Sequence, residues 1–266
     1  MNAVLACRGL AVAVPGRRLI EGLDLELRGG RVLAVLGRNG AGKTSLLHAL
    51  AGLRAPAAGD VRVNGRARAA HSRRELGRLV GLLLQSSEDL FPGSVLETVL
   101  TGRHPHIDFW GWEGPEDRAK ARSCLSAVGL ADLSLRDVAT LSGGERRRLA
   151  IATLLAQDPL ACLLDEPLDQ LDPQHQVEVL ALLRALAGRG RAVAFTVHDP
   201  GVAARHADDA LLLHGDGRWS CGPVDEVLDA QALSELYGVA MRELRYAAGR
   251  SFVAEPTGYC DSSIAK

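Results

Sequence analysis

Apolar residues recur along this chain in two rhythms, and the switch between them divides it. The first rhythm has a period of two. LAVAV at 10–14 and LDLEL at 23–27 alternate as strands do, split by a Pro15-Gly16 turn and closed by Gly29-Gly30. Val32 to Leu36 is a continuous apolar run, the pattern of a strand covered on both faces. A helical pattern follows, with Leu46, Leu47 and Leu50 on one face. GDVRVNGR at 59–66 reads as a strand with an Asn64-Gly65 turn, and 72–79 as a short helix. Val80 to Leu84 is a second buried run, which ends at Gln85.

From 86 to about 155 the period is helical. VLETVLTGR at 95–103 and Pro115 to Val128 predict helices, the second with Glu116 and Asp117 where the helix dipole favours acid. A third helix opens near Gly143. Strand and helix then alternate: Cys162 to Leu164, 173–187, Ala192 to Val197, 201–206 and Ala210 to Leu213. Two short helical patterns occupy 223–237, and the tail from Pro256 has the small, polar composition of a disordered end. Such alternation predicts a mainly parallel sheet with helices on its faces, interrupted by a helical insertion at 86–155.

Chemistry enters where the first buried run meets its helix. GRNGAGKT, Gly37 to Thr44, fits the P-loop pattern G-x-x-x-x-G-K-[ST] at every fixed position, in the strand–loop–helix context that the pattern requires. Glycines let the backbone curl so that its N–H groups point at phosphate oxygens, and the helix start behind them favours anions. The candidate phosphate-binding residues are therefore Gly37, Arg38, Asn39, Gly40, Ala41, Gly42, Lys43, Thr44 and Ser45. Lys43 is placed to reach the β/γ-phosphates and the Thr44 hydroxyl to ligate Mg²⁺.

LLDEP at 163–167 closes another apolar run, and strand ends are where open α/β sheets present ligand groups. Asp165 is the candidate for holding Mg²⁺, and Glu166 for orienting or deprotonating an attacking water. LSGGE at 141–145 offers Ser142 as a helix cap, with Glu145 at capping-box spacing. Gly143 and Gly144 leave that helix start open to an anion.

Bulk properties narrow the partners. The 266 residues carry a formal net charge of -1, without the basic excess of a dedicated nucleic-acid binder. Five scattered cysteines, with no C-x-x-C pair, suggest reduced thiols rather than a disulfide framework or a zinc site. The N-terminus lacks the pattern of a signal peptide. No apolar run approaches the ~18–20 residues of a membrane helix, so any spanning segments are expected from a partner. His104 and His106 flank Pro105 with no cysteine nearby, which favours structural histidines over a metal pair. Arg146, Arg147 and Arg148 read as a solvated or phosphate-facing stretch of helix.

In their order and spacing these motifs resemble the ATP-binding cassette (ABC) ATPase family over about residues 3–230. GRNGAGKT resembles its Walker A, Gln85 its Q-loop, LSGGE its signature and LLDEP its Walker B. Leu171-Asp172 resembles its D-loop, and His198 in TVHDP its switch histidine. The resemblance implies an α/β fold: a P-loop NTPase with a RecA-like core, an N-terminal antiparallel β subdomain and an inserted α-helical subdomain. It places the ATPase domain at 2–245, with the helical subdomain at about 86–155, and leaves 246–266 as a C-terminal extension. It implies ATP and Mg²⁺ as cofactors, catalytic roles for Glu166, His198 and Gln85, and Mg²⁺ held by Thr44, Gln85 and Asp165. It further implies a homodimer with each ATP between one copy's Walker A and the other's Ser142, Gly143 and Gly144.

Two positions depart from the family pattern. The aromatic residue that often stacks on adenine is replaced at about Val14, which removes ~1–3 kcal/mol of base contact and predicts weak discrimination between ATP and GTP. Leu168 stands where a small or hydroxyl residue is common. The stretch from Val95 through TGRHPHIDFWGWEGPEDRAKA is similar to the ATPase subunits of iron–siderophore, haem and cobalamin importers. That similarity implies a transmembrane permease, a periplasmic substrate-binding protein, and a peripheral location on the cytoplasmic face of the inner membrane. It makes Glu97 and residues 86–112 the candidates for permease contact, with Trp110 and Trp112 near that face. A non-transport ABC ATPase of the iron–sulfur assembly type and an exporter ATPase remain as alternatives.

Overall fold

The period-two segment at the N-terminus forms an antiparallel sheet in the computed structural model, which describes residues 3–85, 92–108, 110–247 and 249–255. Strands β1 (Ala3–Val14) and β2 (Arg17–Arg28) are longer than their alternation predicts, because register shifts absorb the interruption at Arg8-Gly9. After β3 (Val32–Gly37) and α1 (Lys43–Ala51), strands β4 (Ala58–Val63) and β5 (Arg66–Ala67) complete the sheet in the order β2-β1-β4-β5.

Helix α2 (Arg73–Leu79) leads directly into β6 (Val80–Leu83). The helical stretch supplies α3 (Val95–Thr101), α4 (Pro115–Ala127) and α5 (Gly143–Gln157). Capping boxes start α3 (Ser94 with Glu97) and α5 (Ser142 with Glu145). Alternation resumes with β7 (Ala161–Leu164), α6 (Pro173–Gly188), β8 (Ala192–Thr196), α7 (Pro200–His206) and β9 (Asp209–Leu213). An edge strand β10 (Trp219–Pro223) and helices α8 (Val224–Val227) and α9 (Ala230–Tyr237) follow. A hairpin of β11 (Met241–Tyr246) and β12 (Gly249–Ala254) ends the described chain.

The central sheet runs β10-β9-β3-β8-β7-β6, parallel except for β10. Both its faces are covered, which explains the unbroken apolar runs. Along β3, Val32, Ala34 and Leu36 pack into one core with the helical layer, while Leu33 and Val35 face a second core with α1 and the antiparallel sheet. The same split recurs along β7, β8 and β9.

Three strands have no counterpart in the sequence pattern. Strand β10 pairs antiparallel with β9 at the sheet edge, where Gly222 and Pro223 are tolerated. The C-terminal hairpin pairs Arg245 with Arg250 and Tyr246 with Gly249, so its ladder crosses the boundary expected at 245/246. Residues 86–91 at the start of the insertion, and the tail from Pro256 with Cys260, lie outside the described residues. Among the described residues no helix is long and apolar enough to cross a membrane.

Candidate functional site

Four neighbouring strands deliver the predicted residues to one end of the sheet. The loop after β3 carries Arg38 to Gly42, Gln85 follows β6, Asp165 and Glu166 follow β7, and β8 ends in Thr196 with His198 just beyond. All are C-terminal strand ends, so a single crevice collects them. Arg38, Asn39, Gly40, Gly42, Lys43, Thr44, Ser45, Gln85, Glu166 and His198 line one cavity of about 680 Å³, together with Val14, Arg17, Leu19 and Asp169.

The phosphate loop depends on its glycines. Gly42 sits at φ 105, and a Cβ there would meet the Leu19 side chain at 3.0 Å. Lys43 is 6% exposed, and its Nζ donates to the Gly37 carbonyl over 2.8 Å. Burial lowers the pKa of this ammonium, against the opposing pull of Glu166, Asp165 and Asp169. The loop thus holds a desolvated cation with few partners, an arrangement suited to a polyanion.

Glu166 is the hub of the crevice. Its Oε2 accepts from Gln85 Nε2 at 2.6 Å, and its Oε1 lies 2.8 Å from His198 Nε2. Its backbone adopts φ 49, and its N–H donates to Thr196 Oγ1 over 2.7 Å. Burial works against its charge, but a hydrogen bond with the Asp169 carboxyl, His198 and Lys43 together hold the Glu166 pKa below the ordinary glutamate value. Asp169 is pushed the other way, up, by burial and by Glu166.

Asp165 is 1% exposed. Its Oδ1 accepts from the Thr196 hydroxyl over 2.8 Å, while Oδ2 is buried with no hydrogen-bond partner among the described residues. A buried, unpaired carboxylate oxygen is costly. Thr44 and Gln85 line the crevice, and with Asp165 they offer oxygen donors only, the kind that Mg²⁺ takes.

The predicted residues do not all meet. Ser142, Gly143 and Gly144 line no part of this cavity. Ser142 Oγ accepts from Glu145 N, and Gly143 and Gly144 lie against Gln170, each close enough that an added Cβ would crowd it. Ser142 and Gly143 are exposed, so this helix start faces outward from its own site.

The three arginines after the signature are not a solvated stretch. Arg146 donates to the Leu141 and Ala139 carbonyls and Arg148 to that of Val128, while Arg147 is buried among strand-end carbonyls. Their backbone acceptors come from flanking loops, which a run of like charges does not advertise. His106 Nε2 lies 2.8 Å from the Gln157 carbonyl. Trp110 and Trp112 are exposed on the loop after His106, which packs against the C-terminal end of α5 and against α2, at the sheet end opposite the crevice.

Thr196 and Asp169 were missed. Thr196 is the one polar residue ending an otherwise apolar strand, AVAFT, a local signal of a site-facing hydroxyl. Its replacement by valine keeps the shape but strands the Glu166 N–H and the Asp165 carboxylate. Leaving a buried donor unsatisfied costs about 1–3 kcal/mol. Thr196→Val is therefore expected to lower the melting temperature by several degrees in differential scanning fluorimetry; an unchanged midpoint would show that water replaces the hydroxyl.

A model of the ABC transporter family matches residues 20–169. The hemin import ATP-binding protein HmuV of Gloeobacter violaceus is 40% identical over 250 residues, covering 91% of this chain and 90% of its own length. The cobalamin import ATP-binding protein BtuD of Halobacterium salinarum is 39% identical over 211 residues, 79% of this chain and 52% of that protein. A solved structure described as an inward-facing conformation of a metal-chelate type ABC transporter matches with a TM-score of 0.84 and 30% identity, covering 96% of this chain and 99% of the other.

Proposed function

The chain belongs to the ABC transporter family and is an ATPase of that family, and from this premise we propose that it energises import of a haem- or cobalamin-type metal chelate, iron–siderophore complexes included, through a separate membrane permease. The observation that carries the reading is the match to a hemin import subunit along nearly the full length of both chains. The cobalamin import relative and the metal-chelate transporter support the same cargo class. The protein then sits peripherally at the cytoplasmic face of the membrane, where a permease and, indirectly, a periplasmic binding protein complete the system.

The crevice supplies the chemistry. The N–H groups of the Gly37–Ser45 loop and the Lys43 ammonium hold the triphosphate. Thr44, Asp165 and Gln85 would hold Mg²⁺, which would supply positive charge against the phosphates. Glu166 orients the attacking water and takes its proton, and its lowered pKa keeps it ionised for that task. His198, 2.8 Å from Glu166, is placed to contact the γ-phosphate and the water. Gln85 caps Glu166 Oε2 in this state, so productive binding of water at that oxygen requires Gln85 to turn away. Ser142, Gly143 and Gly144 serve the nucleotide of a second copy, in keeping with the exposure of Ser142 and Gly143 and with the absence of all three from the lining of their own cavity. Two copies thus enclose two ATP molecules, and hydrolysis removes the γ-phosphate contact that joins them.

Val14 lines the cavity and offers no aromatic face to a base. GTP is expected to compete with ATP at concentrations within about tenfold, and Val14→Tyr to tighten both by the worth of one stack, ~1–3 kcal/mol. A hundredfold preference for ATP in the native protein would sink that expectation.

The transport reading is tested by mild-detergent capture of tagged Glu166→Gln protein with ATP and mass spectrometry of what comes with it. A polytopic permease is the expected partner. Recovery of a soluble scaffold instead would turn the reading to a non-transport ABC ATPase, and a permease that drives efflux would turn it to an exporter.

A further inference from the structure

Arg147 lies in the second turn of α5, the helix that Ser142 caps, yet only 4% of it is exposed. Its Nη1 donates to the carbonyls of Leu84 (2.6 Å) and Gln85 (3.3 Å). Its Nη2 donates to the carbonyl of Glu166 (2.7 Å) and to that of Asp165. These four acceptors belong to two separate strand ends. Strands β6 and β7 pair as far as Leu83 with Leu164, and one further bond joins Asp165 N to the Leu83 carbonyl. Beyond that point the ladder stops, and one guanidinium takes its place.

The planar fork of arginine suits this task, because it sends donors in fixed directions to both loops at once. The Glu166 peptide needs such support. Its left-handed backbone is sparsely populated for a residue with a side chain, and it persists only where its surroundings determine it. Its N–H is taken by Thr196, and its carbonyl by Arg147 and by the Asp169 N–H.

We propose that Arg147 is a positioning residue for ATP hydrolysis. It fixes the Glu166 peptide relative to Gln85, and ties both to the helix whose first residues face a second copy. A shift of α5 when its outward end meets the neighbour's nucleotide is then felt directly at the base and the glutamine of its own site. The proposal rests on the roles given above to Glu166 and Gln85, and extends them to a residue that touches no substrate.

The test is steady-state ATPase kinetics on the full chain for Arg147→Lys, Arg147→Gln and Glu166→Gln, with nucleotide affinity from a fluorescent ATP analogue and melting temperatures alongside. Lysine keeps the charge and most of the length but cannot present the fork. Arg147→Lys is expected to lower kcat by about 10–100-fold, as small misplacements of a catalytic group do. KM and analogue affinity should stay within about threefold, because the phosphate loop hangs on another strand. Adding Arg147→Lys to Glu166→Gln should cause no further loss, since the arginine acts through that side chain.

A kcat in Arg147→Lys within about twofold of native overturns the proposal. So does a fall that only tracks the folded fraction, or a multiplicative loss in the double variant. If neither lysine nor glutamine at 147 yields folded protein, Arg147 is a core strut and the positioning role is lost. Full turnover in Glu166→Gln would remove the base itself and both readings with it, whereas a dead Glu166→Gln beside a normal Arg147→Lys removes only this one.

Discussion

Glu166→Gln is expected to lower kcat by about 10²–10⁴-fold, the usual worth of a positioned general base. The substitution is close to isosteric. An amide oxygen at 166 can still accept from Gln85, and the buried backbone contacts with Thr196 and Arg147 do not involve the side chain. What disappears is an ionised carboxylate, held below its ordinary pKa by the Asp169 carboxyl, His198 and Lys43 despite burial. Nucleotide affinity is expected to change by less than about threefold, because the phosphate loop is untouched. With binding intact and hydrolysis blocked, ATP should accumulate at the interface and hold two copies together. Phosphate release and ATP-dependent size-exclusion chromatography check the two halves of this expectation separately. Native-rate hydrolysis would take Glu166 out of the base role, and a monomeric variant with ATP bound would count against the shared site.

The legible and the hidden parts of this protein differ for a physical reason. A phosphate loop needs glycines, a lysine and a hydroxyl residue at fixed offsets, so Gly37 to Thr44 could be read directly. The buried strands were legible because a sheet covered on both faces demands continuous apolar runs, and β3, β7 and β8 supply them. Strand β10 and the C-terminal hairpin were not, since edge strands are half solvated and their ladders are set by a partner rather than by local pattern. Arg147 was misread because its four acceptors lie 18 to 63 residues away in sequence. The run Arg146 to Arg148 advertises solvent, and only the fold shows that its middle member points inward. Asp169 carries no pattern of its own in the sequence, and only the fold brings its carboxyl beside Glu166. Even the feature that made the family resemblance specific, the LSGGE helix start, lines no part of the crevice that gathers the other motifs.

Lys43→Ala separates stability from function most sharply. In the ligand-free protein the ammonium is desolvated and bonded to the Gly37 carbonyl, and its pKa is lowered by burial. The unfolded chain therefore holds the lysine proton more tightly than the folded one. By linkage this group makes stability rise with pH as the pH climbs through its lowered folded pKa toward the ordinary lysine value. Removing it should leave the ligand-free melting temperature unchanged or raised, and should flatten that alkaline rise. Nucleotide binding should move the other way. A charge-assisted contact to phosphate contributes about 1.5–3 kcal/mol, so ATP affinity should fall by roughly 10–150-fold. The ATP-induced rise in melting temperature should shrink accordingly, because ligand stabilisation follows occupancy. Isothermal titration with ATP and thermal melts with and without nucleotide, across pH, measure both effects on one variant. A Lys43→Ala protein that binds ATP with native affinity would mean that the backbone N–H groups alone hold the triphosphate. A less stable ligand-free variant with weakened binding would mean instead that the lysine is a structural prop, its bond to Gly37 outweighing the cost of burying its charge.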